Sequence, residues 1–323
     1  MTQASFQASC AALLMAVAAS AGEKNPATDW LAEAKVGAFM HFLPGASNFK
    51  QVDTFDVPAV ATQLAEANVR FFVFTLGQNS GYMNAPNAAY DAVSGYAPGE
   101  RCARRDVPKE LAAALKPHGI RLMLYLPCQT PNGDLQAVRT FGLPEAPANR
   151  DRKIDLVFAR KWAAVIREWS DRYGDAVSGW WFDGGYEWVG FNAEIARVYA
   201  EAAKHGNPQS VVTFNPGVSL KRWTDAEDYT AGELNEPFAQ VCEGRWLSGS
   251  QWHVLTFLGK TWGKRDVRYT DEQWSSWVVS VTAKGGTVTL DLGPNYDAAV
   301  APVGTFADAQ LKQLKTIVNA ARR

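Results

Sequence analysis

Val177-Ser-Gly-Trp-Trp-Phe-Asp-Gly-Gly-Tyr-Glu-Trp188 is the stretch on which the reading of this chain turns. Its first six residues are apolar or small, with no polar face, as in a strand buried on both sides. The run ends in a carboxylate, Asp183, followed by two glycines and a second carboxylate, Glu187. A buried parallel strand that delivers one acid to its C-terminal end is a common place for chemistry. The same residues would also suit a strand and Gly-rich turn whose Asp caps a helix. The flanking sequence decides between these.

Runs of the same character recur on both sides. Upstream are residues 36–42, 69–75 and 120–126; downstream are 210–215, a weaker run at 228–233, then 251–257 and 287–292. Helical spacing fills the intervals at 30–35, 58–68, 107–118, 151–173, 191–205, 271–284 and 306–321, with a short helical piece at 220–226. Asp106 is placed to cap the helix at 107–118 and Gly119 to end it. In 151–173 the stripe Ile154, Phe158, Trp162, Val165 and Trp169 marks one buried face. Three stretches read as long loops: 43–57, 76 to about 105, and 127–149. Strands apolar on both faces, alternating with helices, predict a parallel sheet covered by helices. About eight such units predict a (β/α)8 barrel of the TIM type, a single catalytic domain over residues 22–323. A doubly wound sheet is disfavoured, because no Gly-x-Gly-x-x-Gly turn follows the first strand.

The whole chain, 323 residues and 47% hydrophobic with 20% charged, fits one large globular domain rather than a disordered segment. A net charge of −1 without a long basic run excludes nucleic acid and anionic membrane surfaces as main partners. Residues 11–19 form an apolar run followed by Ala19-Ser20-Ala21, which predicts a signal peptide over 1–21 and a periplasmic or secreted protein, although no Lys or Arg precedes the run. The run is too short to span a bilayer. Beyond it remain Cys102, Cys128 and Cys242, enough for one disulfide and no framework. Oligomeric state is not legible.

Barrel chemistry sits at the C-terminal ends of the strands. Those ends carry His41, Gln78, Asn79, Gln129, Asp183, Glu187, Asn215, Glu233, Glu236, His253 and Asp291. No set has metal-ligand spacing, and there is no nucleophile elbow and no phosphate loop, so no cofactor and no metal is expected. Carboxylates among neutral donors and tryptophans suit glycoside hydrolysis, which needs two carboxyl groups and partners for hydroxyls. The expected partner is an oligosaccharide or glycoconjugate.

In these motifs the chain resembles the α-L-fucosidases of glycoside hydrolase family 29. Trp30 with Lys35-Val-Gly-Ala-Phe-Met-His41-Phe is similar to that family's first strand, and Trp181-Phe-Asp-Gly-Gly to its nucleophile motif. Asp228-Tyr-Thr-Ala-Gly-Glu-Leu-Asn-Glu-Pro, Gln251-Trp-His with Thr261-Trp-Gly, and Ala283-Lys-Gly-Gly-Thr-Val-Thr-Leu-Asp-Leu-Gly-Pro resemble later family segments. The resemblance implies that Asp183 is the nucleophile of a retaining exo-glycosidase acting through a covalent glycosyl-Asp intermediate. It aligns Glu233 with a family glutamate, the favoured acid/base, with Glu236, Glu243 and Glu187 as rivals. It places His41 on the family's sugar-binding histidine; Gln78, Asn79, Tyr82, Trp181, Trp252 and His253 are the further expected sugar contacts, with Trp181, Trp188, Trp252 and Trp262 divided between pocket and core. Gln78 and Asn79 stand where the family has paired histidines, which leaves the sugar open: α-L-fucosides or a related glycoside. The chain also stops at the eighth helix, where the family usually continues into a β-sandwich. A barrel that binds carbohydrate without cleaving it is the alternative.

Overall fold

The computed structural model describes residues 24–129, 131–146, 151–238 and 241–323; the expected signal peptide lies outside the described residues. Helix α1 (Asp29–Ala34) leads into β1 (Val36–Met40), and α2 (Val57–Glu66) into β2 (Phe71–Thr75). Then follow α3 (Ala88–Ser94), α4 (Val107–Leu115), β3 (Arg121–Pro127), α5 (Leu135–Phe141), α6 (Leu156–Tyr173) and β4 (Val177–Asp183). The second half runs α7 (Ala193–Lys204), β5 (Val211–Phe214), a hairpin of β6 (Trp246–Leu247) and β7 (Ser250–Gln251), β8 (His253–Phe257), α8 (Asp271–Ala283), β9 (Thr287–Leu292) and α9 (Asp308–Arg322). Seven strands form one parallel sheet in the order β5-β4-β3-β2-β1-β9-β8, curled into a barrel-like architecture with helices around it.

Two expected elements are absent. Residues 228–233 are not a regular strand, although they lie between β5 and β8. On the β8 side they hold isolated bridges, Tyr229 with Gln251 and Glu233 with Leu255. On the β5 side Asp228 N donates to Val212 O, while the Asp228 carboxylate takes the Val212 N–H at 2.8 Å. Gly232 adopts a left-handed φ of 61°, which breaks the extended ladder. The short helix expected at 220–226 does not form either: Glu227 captures the N–H groups of Trp223 and Thr224, which a helix would need to direct inward. Conversely, α3 and α5 form inside stretches read as loops. Asn87 and Asp134 cap their N-termini through side-chain oxygens, and Gly95 and Gly142 end them at φ 77° and 82°.

The strands show a strict period of two. Ala38, Phe72, Phe74, Leu122, Leu124, Trp180, Phe182 and Leu290 face outward into the layer shared with the helices. Phe39, Val73, Met123, Tyr125, Trp181, Val211 and Leu255 face inward and form a separate core in the barrel interior. Space there is tight: a Cβ on Gly179 would meet Met123 Cε at 2.8 Å. Leu31 and Ala34 of α1 belong to the inner core, with Trp30 packed against it, so α1 stops the N-terminal end of the barrel. The inward parity runs to the last residue of β4 and past the ends of β1 and β5, and it carries His41, Asp183 and Asn215 to the opposite, C-terminal end. All three cysteines of the described chain are free thiols, so the disulfide does not form.

Candidate active site

Asp183 is the last residue of β4, held by donors on both oxygens. Oδ1 accepts from Gly184 N at 2.8 Å and from Asn215 Nδ2 at 2.9 Å; Oδ2 accepts from Tyr125 Oη–H at 2.6 Å. Gln78 Nε2 in turn donates to the Tyr125 oxygen at 3.0 Å. Burial, and then the Asp183 charge, push the Tyr125 phenol well above its ordinary range, so it stays protonated and remains a donor. Asn215 follows β5, and the same Nδ2 reaches Glu233 Oε2 at 2.5 Å. One amide nitrogen therefore contacts both carboxyls, so the two oxygens it holds lie no farther apart than its two hydrogen bonds reach. Desolvation raises the Glu233 carboxyl above its ordinary value; Asp183 pushes the same way, while Asn215 and His41 oppose.

These groups face a cavity of about 350 Å³, whose wall includes His41, Gln78, Tyr125, Trp181, Asp183, Tyr186, Glu233 and Trp262. His41 Nδ1 lies 2.9 Å from Asp291 Oδ1, and Asp291 Oδ2 is fixed by Gly263 N at 2.7 Å. Asp291 thus holds a proton on Nδ1 and fixes the orientation of the ring. Trp181 stacks on Tyr125 at 5.5 Å and 14°, with its indole N–H on Ala231 O, and presents an aromatic wall. The cavity combines apolar faces, neutral amides, an imidazole and two carboxyls of different character. Chemically it can grip hydroxyls, attack with one acid and donate a proton from the other. No group of His, Cys, Asp and Glu among the described residues could hold a metal.

Of the residues singled out from sequence, His41, Gln78, Trp181, Asp183 and Glu233 come together here. Asn79 lies next door, lining a smaller cleft with Gln129 and Asn132. Three lie elsewhere. Tyr82 packs on Phe49 at 4.9 Å under the Arg101 guanidinium. Trp252 is fully buried on the outward face of the sheet. His253 faces into the barrel but one layer below Leu255, which is the residue of β8 that reaches the cavity. Both its ring nitrogens are used, Nδ1 on Thr230 O at 2.9 Å and Nε2 on Thr289 Oγ1 at 2.7 Å. Among the rival acids, Glu187 is exposed, Glu236 bonds the Tyr269 hydroxyl and Glu243 pairs with Lys284; none lines the cavity. Sequence reading passed over Tyr125 and Tyr186. Tyr125 was findable, since period-two counting back from Pro127 on β3 turns it inward.

The α-L-fucosidase family model matches residues 46–319. Among solved structures, an endo-fucoidan hydrolase of glycoside hydrolase family 107 superposes with a TM-score of 0.68 at 16% identity, over 90% of this chain and 53% of its own. The α-L-fucosidase AlfC from Lactobacillus casei, in complex with its α-L-fucose product, gives 0.63 at 15%, over 92% and 98%. α-L-Fucosidase isoenzyme 1 from Paenibacillus thiaminolyticus gives 0.64 at 18%, over 92% and 75%. At these identities the likeness is one of fold, and the chain spans about half the length of the fucoidan hydrolase. No curated protein matches the sequence.

Proposed function

The chain belongs to the α-L-fucosidase family, and from that premise we propose that it is a retaining glycoside hydrolase acting on α-L-fucosides or a closely related glycoside. The observation that supports this most is the pair Asp183 and Glu233, joined through one Asn215 nitrogen over a single cavity. In the first half-reaction an Asp183 oxygen bonds to the anomeric carbon as the glycosidic C–O bond breaks. Glu233 gives its proton to the departing oxygen. In the second, Glu233 takes a proton from water as the water oxygen bonds to the anomeric carbon and the ester to Asp183 breaks. The raised Glu233 carboxyl suits a group that must be an acid first and a base second. His41 and Gln78 bind hydroxyls, and Trp181 covers an apolar face of the sugar.

Two further readings accompany this one. The segment 228–234 completes the sheet as the eighth position of a closed (β/α)8 barrel, since it bridges to β8 and bonds to β5. Residues 1–21 act as a signal peptide for export, on the strength of their sequence alone.

The test is a panel of 4-nitrophenyl glycosides, starting from the α-L-fucoside, with wild type and Asp183→Asn. Turnover by the wild type and its abolition in a folded Asp183→Asn supports the reading. Sugar binding by the wild type without hydrolysis of any member favours the non-cleaving binder instead.

A further inference from the structure

This inference rests on the two-carboxyl reading above and concerns what Asn215, the residue that joins the pair, does to their protons. The amide of Asn215 has a fixed orientation. Gly217 N–H, which can only donate, bonds its Oδ1 at 3.0 Å. The nitrogen is therefore the end turned to the carboxyls, 2.9 Å from Asp183 Oδ1 and 2.5 Å from Glu233 Oε2. We propose that Asn215 is a positioning residue that keeps Asp183 and Glu233 in different protonation states, by confining the proton of the pair to the Glu233 oxygen it does not hold, Oε1.

An amide NH2 offers hydrogens and no lone pair, so neither Asp183 Oδ1 nor Glu233 Oε2 can turn an O–H towards it. Gly184 N adds a second donor to Asp183 Oδ1. Asp183 Oδ2 is closed to a proton as well: Gln78 Nε2 donates to the Tyr125 oxygen, which aims the phenol hydrogen at Asp183. Every contact of the nucleophile is thus a donor. The only carboxyl oxygen of the pair not held by Asn215, Tyr125 or Gly184 is Glu233 Oε1. That is where a proton must sit to be handed to a departing glycosidic oxygen. It is also where the proton taken from water must return in the second step. Asn215 stays neutral and donates throughout, so the proton count of each half-reaction is unchanged by it. The arrangement does two things at once: it sets the spacing of the carboxyls and assigns their roles.

Asn215→Asp tests this with little change of shape, because it keeps an acceptor for Gly217 and exchanges only the shared donor for a third acid. Asn215→Ser, which can serve one carboxyl at most, is the second variant should the first not fold. Two readouts are taken on both: the pH profile of kcat/KM on 4-nitrophenyl α-L-fucoside, and the carboxyl titration of Glu233 by carbon NMR of side-chain-labelled glutamate, assigned with Glu233→Gln. In Asn215→Asp, kcat/KM falls by about 10²-fold or more, and the alkaline limb and the Glu233 resonance both move up by about one pH unit or more. Asn215→Ser moves both the same way by less. A new acid at 215 shifts the pair by its charge alone, so Asn215→Ser decides: a purely structural role would lower its activity or melting temperature and leave both titrations where they are in the wild type, and that result overturns the proposal. If the resonance moves in the variants but the wild type turns over no glycoside, the hydrolase reading is lost while Asn215's hold on the pair stands.

Discussion

His253 is the residue whose sequence reading and structural position differ most, and replacing it by glutamine separates the two. Its ring is 2% exposed inside the barrel, with Nδ1–H on Thr230 O and Nε2 accepting from Thr289 Oγ1. Burial holds its pKa down to about 4, with the Thr230 and Ala231 backbone pulling weakly the other way. An unfolded chain protonates histidine near pH 6.5, so as pH falls the unfolded state takes up the proton first. The stability this residue contributes is whole above about pH 6.5 and declines steadily down to about pH 4. At 1.36 kcal/mol per pH unit, the loss between pH 7.5 and 5 is about 2 kcal/mol, and by pH 4 about 3 kcal/mol. His253→Gln keeps one donor and one acceptor in place of the imidazole and cannot gain the proton. Urea unfolding of both proteins at pH 7.5 and 5.0 gives the double difference, in which all other titrations cancel. Wild type should lose about 2 kcal/mol more than the variant, and kcat/KM should be unchanged, because His253 lies below the cavity floor. Equal losses in the two proteins would refute the electrostatic argument, and a large rise in KM would restore His253 as a sugar contact.

Two further outcomes follow from the site. Glu233→Ala should lose the alkaline limb of the kcat/KM profile and most turnover of poorly activated aryl glycosides, and added azide should restore turnover as the glycosyl azide. Rescue of Glu236→Ala or Glu243→Ala in its place would move the acid/base elsewhere. Asp291→Asn should cost about 1–3 kcal/mol of transition-state binding, read as a fall in kcat/KM, since an amide can turn its nitrogen to His41 and reverse the tautomer; unchanged kinetics would mean that His41 does not contact the sugar.

The strands were legible because burial on both faces writes an unbroken apolar run. Residues 177–183 and 287–292 were read to their last residue. The segment at 228–233 was misread as a strand because Asp228-Tyr-Thr-Ala has strand composition, while the left-handed Gly232 and the capture of Val212 N–H by Asp228 are tertiary facts. Helices α3 and α5 escaped because each is seven residues long, too short for periodicity to outweigh the Gly, Pro and Asn around it. Within the site, Asp183 was legible because a lone acid ends an apolar run. Tyr125 and the bridging part played by Asn215 were not, since a tyrosine in an aromatic strand reads as core and an asparagine after a strand reads as a turn. His253 was misplaced by a whole layer and Trp252 by a face, because a motif gives order along the chain and neither height nor side in the barrel.

The plug formed by α1 bears on the order of events in the proposed reaction. With Leu31 and Ala34 in the inner core at the N-terminal end of the sheet, the cavity over Asp183 opens towards the C-terminal end of the strands. In the proposed double displacement, water attacks the anomeric carbon from the side the departing aglycone vacates. A glycosyl-enzyme formed there would meet any hydroxyl that arrives on that side, water or an alcohol. Methanol or a second sugar, supplied at high concentration, should compete with water for the glycosyl group and leave as a transfer product.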